Sequence, residues 1–133
     1  MNRSQTREVA FKLLYQIEIQ KEISEEDIEL FFENNDVDLE QAKEYIKDIV
    51  YGTRENIKEI ISMISDNLKQ DWEVARVSKV NLALLKLAIY EIKYKELPYK
   101  VVINEVVELA KKYGEETSHS FINGILASVV KEA

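Results

Sequence analysis

Residues 78–95 constrain this chain more than any other segment. Val80, Leu82, Ala83, Leu84, Leu85, Leu87, Ala88, Ile89 and Ile92 recur so densely that, wound as a helix, they cover nearly the whole circumference. A helix that is apolar all round has to be buried. The remaining segments must therefore wrap it, and their periodicity says how. Ala10, Leu13, Leu14 and Ile17 fall three and four apart within residues 4–20, which places them on one helix face. Ser24 followed by Asp27 has the form of a capping box and starts a short helix through Phe32. Asp38 is placed to cap a third helix carrying Ala42, Ile46, Ile49 and Val50, with Gly52 placed to kink or end it. Ile57, Ile60, Ile61, Ile64 and Leu68 continue the same period. Beyond the central segment, Glu96-Leu97-Pro98 is a stop, because the residue before proline disfavours helical geometry. A helix then runs to about Tyr113, with Gly114 at its C-terminal boundary. Thr117 or Ser118 caps the last helix, whose face is Ile122, Ile125, Leu126 and Val129.

With one proline and three glycines there is little material for tight turns, which removes most all-β architectures. The expectation is an all-α fold of six or seven helices in a single domain, residues 1–133. No strand, internal repeat, low-complexity stretch or domain boundary interrupts it.

Chemistry is scarce. The sequence holds no cysteine, which excludes a disulfide framework, thiolate metal sites and thiol catalysis. His119 is the only histidine and reads as structural or surface. The glycines at 52, 114 and 124 are isolated, so no phosphate-cradling loop exists. Glu105 and Glu108 have the spacing of a solvated helix face, and the Glu-x-x-His pattern of di-metal bundles is missing. No enzyme, cofactor or metal site is expected. No apolar run is long enough to span a membrane and the N-terminus has no secretory h-region, so the cytoplasm is the expected location.

Recognition of a macromolecule remains, and charge bears on it. The chain has 18 Lys+Arg and 25 Asp+Glu, a net charge of −7, which ordinarily argues against nucleic acid. The deficit is local: residues 1–21 sum to +2, residues 22–45 to −9, and the remainder to zero. The acidic stretch reads either as a solvated helix pair or as a field for a basic partner. Arg3, Arg7, Phe11 and Tyr15 lie four apart on the first helix and drift along the flank of its apolar face. They can grip phosphates and stack on bases, or the two aromatics can simply widen the core stripe. Asn123-Gly124, inside the last helix, calls for close approach of another helix at Gly124. Asn104 and Asn123 read as buried groups holding helix junctions, with a ligand role as the alternative.

Four motifs together resemble the NusB transcription antitermination factors. They are Pro98-Tyr99-Lys100-Val101-Val102-Ile103-Asn104-Glu105 running on through Val107-Glu108-Leu109-Ala110-Lys111; Ser118-His119 followed by Phe121-Ile122-Asn123-Gly124-Ile125-Leu126; Leu84-Leu85-Lys86-Leu87-Ala88-Ile89-Tyr90-Glu91; and Arg7-Glu8-Val9-Ala10 leading to Leu14-Tyr15-Gln16. Their order and spacing fit across essentially the whole chain. The resemblance implies about seven helices in two roughly perpendicular bundles and a non-catalytic role. It implies pairing with the ribosomal protein NusE, binding of boxA RNA in ribosomal RNA operon transcripts, and support of elongation by RNA polymerase with other Nus factors. By position, it implies phosphate contacts at Arg3, Arg7 and Lys12, with Thr117, Ser118 and Phe121 near the same RNA. It places Tyr15, with the flank around Phe11, and Asn81 toward the protein partner. Homodimers are compatible with it. So is a NusB-like adaptor, or a module of an RNA cytosine methyltransferase, which would need further chain carrying a cofactor loop and a catalytic Cys. The basic foothold is small, with Ser4 and Gln5 separating Arg3 from Arg7. RNA binding by this chain alone is therefore expected to be weak.

Overall fold

Local side-chain chemistry sets three of the helix starts. In the computed structural model, which describes residues 1–131, Asn2 and Gln5 close a capping box on helix α1 (Arg3–Gln20). Ser24 and Asp27 close a second, on α2 (Glu25–Asn34), as their spacing predicts. Helix α3 (Glu40–Glu55) departs from expectation: its N-cap is Leu39, which makes no side-chain cap, so the Asp38 carboxylate is not used there. Asn56 separates α3 from α4 (Ile57–Asp66) and donates its side-chain amide to the Gly52 carbonyl at 2.9 Å. Ser78 caps α5 (Lys79–Ile89) through the Asn81 N–H. Pro98 opens α6 (Tyr99–Tyr113), and α7 spans Ser118–Lys131.

Helix α5 is the central element. It packs on α1, α3, α4, α6 and α7, and its residues from Ala83 to Leu85 and Leu87 to Ile89 are fully buried. The helices form two bundles that share α5: α1 with α3 on one side, α6 with α7 on the other. One continuous hydrophobic cluster draws residues from all seven helices. No strand occurs among the described residues.

Two details position the site. First, α5 does not stop at Ile89 but continues as a π-helical turn over Tyr90–Tyr94, closed by the Lys95 N–H on the Tyr90 carbonyl at 3.2 Å. This wider turn holds Glu91 in the interior, 1% exposed. Second, Gly52 lies inside α3 rather than at its end, and any Cβ there would overlap the Tyr90 ring. The Tyr90 hydroxyl crosses α3 at that point to donate to Asp48 Oδ1 at 2.7 Å.

Candidate functional site

The N-terminal half of α1 was expected to present a basic flank, and the structure divides its residues sharply. Arg3 is exposed, with its guanidinium 4.0 Å from the centroid of the Tyr45 ring. Lys12 is exposed as well. Arg7 is not: it is 3% exposed. Its Nε donates to Glu91 Oε1 at 2.7 Å and its Nη1 to Glu105 Oε1 at 2.8 Å. The Tyr45 hydroxyl donates to Glu91 Oε2 at 2.9 Å and Ser4 Oγ to Glu105 Oε1 at 2.5 Å. Arg7 is thus the centre of a network joining α1, α3, α6 and the π-helical turn. Burial opposes its charge, but the hydrogen bond and field of Glu91, with Glu105 behind, hold its pKa above the ordinary value. This corrects the expectation of a phosphate contact at Arg7, because its donors are already committed to two carboxylates.

Phe11 requires the same correction. It is 1% exposed and packs 5.1 Å, centroid to centroid, from Tyr113 of α6, so it belongs to the core stripe and not to a partner surface. Tyr15, one turn on, is half-buried and stacks on Phe11 at 6.2 Å. Asn81 is also half-buried. Its Oδ1 is enclosed and has no hydrogen-bond donor among the described residues. Tyr15 and Asn81 belong to two helices that pack on each other, with Lys79 Nζ donating to the Glu18 carbonyl at 3.4 Å between them.

Helix α1 is also fastened to the end of α6. Glu8 accepts from Lys112 Nζ at 2.6 Å and from the Tyr113 hydroxyl. Burial works against the Glu8 charge, but those two hydrogen bonds and the Lys112 charge outweigh it and lower its pKa. Tyr113 leads into Gly114, and α7 begins four residues later at Ser118, so the chain passes from this fastening directly into the α7 N-terminus. There Thr117 is exposed and Phe121 half-buried. Ser118 is buried, and its Oγ accepts the Glu115 N–H at 2.9 Å. It closes the turn before α7 and is not open to RNA, a third correction.

The residues read as structural also move. Asn104 is exposed, because α6 buries Val102, Val106, Leu109 and Ala110 on its opposite side. Asn123 is exposed beside the buried face of Ile122, Ile125 and Leu126. Gly124 faces open space: a methyl group there would meet nothing within 4 Å. No close helix approach explains it; the close approach is at Gly52.

Accessible Arg3, Lys12, Thr117 and Phe121 therefore remain from the RNA set, and Tyr15 and Asn81 from the partner set. Lys112 was missed by sequence reasoning, since only the fold reveals that it stands next to α1. No group of three or more His, Cys, Asp or Glu that could hold a metal occurs among the described residues, nor any helix long and apolar enough to cross a membrane.

The model of the NusB family matches residues 4–131. The chain belongs to the NusB family. The transcription antitermination protein NusB of Acetivibrio thermocellus is 49% identical over 132 residues, covering 98% of this chain and 90% of that protein. Its counterpart in Clostridium acetobutylicum is 43% identical, covering 100% and 98%. Among solved structures, T. maritima NusB superposes with a TM-score of 0.87 at 34% identity, over 99% of this chain and 92% of that one. A complex of the antitermination factors NusB and NusE with dsRNA matches with a TM-score of 0.88 at 28% identity, over the whole of both chains. These NusB-family relatives are named as antitermination factors and not as enzymes.

Proposed function

We propose that this chain is a non-catalytic transcription antitermination factor that pairs with the ribosomal protein NusE. The pair binds the boxA element of nascent ribosomal RNA operon transcripts and helps RNA polymerase, with other Nus factors, to keep elongating. The observation that carries this reading is the full-length fold match to the complex of NusB and NusE with RNA. Its cellular setting is the cytoplasm, where such transcripts are made.

In this reading Arg3 and Lys12 supply phosphate contacts, and Thr117 and Phe121 extend the RNA track over the start of α7, where helix N–H groups favour anions. Arg7 acts indirectly by fixing α1 against Glu91 and Glu105. Tyr15 and Asn81 face NusE. An enclosed carbonyl without a donor costs about 1–3 kcal/mol, and a turn of the half-buried Asn81 side chain toward a partner donor would relieve that cost. The acidic segment at residues 22–45 supplies a complementary field for a basic ribosomal protein.

The test is titration of single-stranded boxA RNA into the chain with and without NusE. Much tighter binding with NusE is expected. Equal affinities in the two cases, or no binding in either, would overturn the reading.

A further inference from the structure

Gly124 is the residue of α7 that packing leaves unexplained. A glycine inside a helix weakens it relative to alanine, and here a Cβ would meet nothing within 4 Å. Neither helix formation nor close packing calls for its absence. What Gly124 borders is a surface groove of about 470 Å³, between the connection that follows α4 and the first turns of α7. That volume falls in the range of about 300–1,000 Å³ typical of small-molecule sites. Lys69 and Trp72 line one side, with Thr117, Phe121 and Gly124 on the other. Lys69 is the only charged residue among those lining it. Trp72 is the sole tryptophan of the chain and is 49% exposed, an unusual outlay of aromatic surface in water. The Arg76 guanidinium stands 5.6 Å from its ring centroid.

We infer that this groove seats one base of single-stranded RNA, stacked against Trp72, with Lys69 at the adjoining phosphate. An exposed indole with the Arg76 guanidinium over its ring, Lys69 on the groove wall and an opening left by a missing side chain suit a flat ring that carries a negative group. An apolar peptide side chain would use the groove but leave the cations without a role. Because every base has a π-face, the seat tolerates sequence. The inference rests on the RNA-binding reading above: Thr117 belongs to both, so the groove continues the track that begins at Arg3 and Lys12. It adds a stacking site on the connection before α5, away from α1.

The test uses the full chain with NusE and a short single-stranded boxA RNA, following the fluorescence that Trp72→Phe removes. RNA is expected to quench this signal. Trp72→Ala and Gly124→Leu are each expected to lower RNA affinity about tenfold, the effect of losing one base stack. Gly124→Ala is expected to raise the thermal midpoint, since the methyl group meets no obstacle. Unchanged melting of Trp72→Ala and Gly124→Leu shows that a loss of affinity is local. If RNA binds, Lys12→Ala weakens it, and yet neither quenching nor any effect of Trp72→Ala appears, the inference fails while the RNA reading stands. If no RNA binds at all, both fail. If NusE alone quenches Trp72, and Trp72→Ala weakens the grip on NusE and not on RNA, the groove is a protein interface and the inference is overturned.

Discussion

Arg7 brings one positive charge to a place where Glu91 and Glu105 present two carboxylates, and the balance of that site depends on it. Removing one partner of a buried ion pair costs about 3–5 kcal/mol, since the remaining charge stays buried and uncompensated. Arg7→Ala is therefore expected to unfold at markedly lower urea. Arg7→Glu, with three carboxylates together, is expected to be worse still. A midpoint for Arg7→Ala close to wild type would show that water reaches Glu91 freely. None of this was visible in the sequence. Periodicity puts Arg7 on the flank of the apolar stripe, whereas its partner Glu91 lies 84 residues away on a π-helical turn. Nothing local announces that turn. Glu8 gives a complementary test through pH. Its folded pKa lies below the ordinary 4.5, so on acidification the unfolded chain takes up the proton first and unfolding is favoured. The advantage of wild type over Glu8→Gln is thus complete above the ordinary value and is lost as pH falls through the lowered one. Thermal midpoints of both proteins across that range check it; a gap that stays constant on acidification would refute it.

At the scale of helices, the crossing of α3 over the π-helical turn decides the sign of a substitution. Propensity alone makes Gly52→Ala stabilising by about 1 kcal/mol. Overlap with the Tyr90 ring makes it destabilising, by about 1–3 kcal/mol as for other overpacked sites. Denaturant unfolding should find Gly52→Ala less stable, with a smaller loss in the background of Tyr90→Leu, where the ring is gone; a double-mutant cycle reads the coupling. A more stable Gly52→Ala would mean that the ring moves aside at little cost. The same crossing explains which glycine signals were legible. A glycine inside a helix pattern indicates close approach at one position as plausibly as at another, and only the third dimension shows Tyr90 on Gly52 and empty space at Gly124. Capping was readable where side chain and helix are neighbours in sequence, as at Ser24 and Asp27. Asp38 has the place of a cap in the sequence but makes none, because α3 begins after the uncapped Leu39. The apolar circumference of α5 was the most legible feature, since burial on every side leaves only one place for such a helix. Asn104 and Asn123 are exposed rather than buried for the converse reason: a polar residue beside apolar ones occupies the rim of a helix stripe as readily as its centre.

Across the whole molecule, charge and fold together bear on how RNA is held. The local excess of +2 in residues 1–21 overstates what α1 offers to solvent, because Arg7 is spent on Glu91 and Glu105. Lys112 adds an exposed ammonium beside α1, but Glu8 already pairs with it. Of the basic residues assigned to RNA on the first helix, Arg3 and Lys12 remain exposed and available for the proposed phosphate contacts. Each phosphate neutralised on a single strand contributes about −0.7 to the slope of log affinity against log salt, so Arg3 and Lys12 give about −1.4, and the contact inferred at Lys69 brings the chain to about −2. Repeating the boxA titration over a range of salt should find this shallow slope for the chain alone and a steeper one once NusE adds its own cations. Lys12→Ala should flatten the slope of the chain alone by about 0.7 and leave its melting unchanged. A slope that Arg7→Met flattens in a folded protein would return Arg7 to the RNA surface and overturn its assignment to the core. A slope that NusE leaves unaltered would mean that the partner contributes no phosphate contacts. Its effect on affinity would then have to come from ordering this chain, and not from charge.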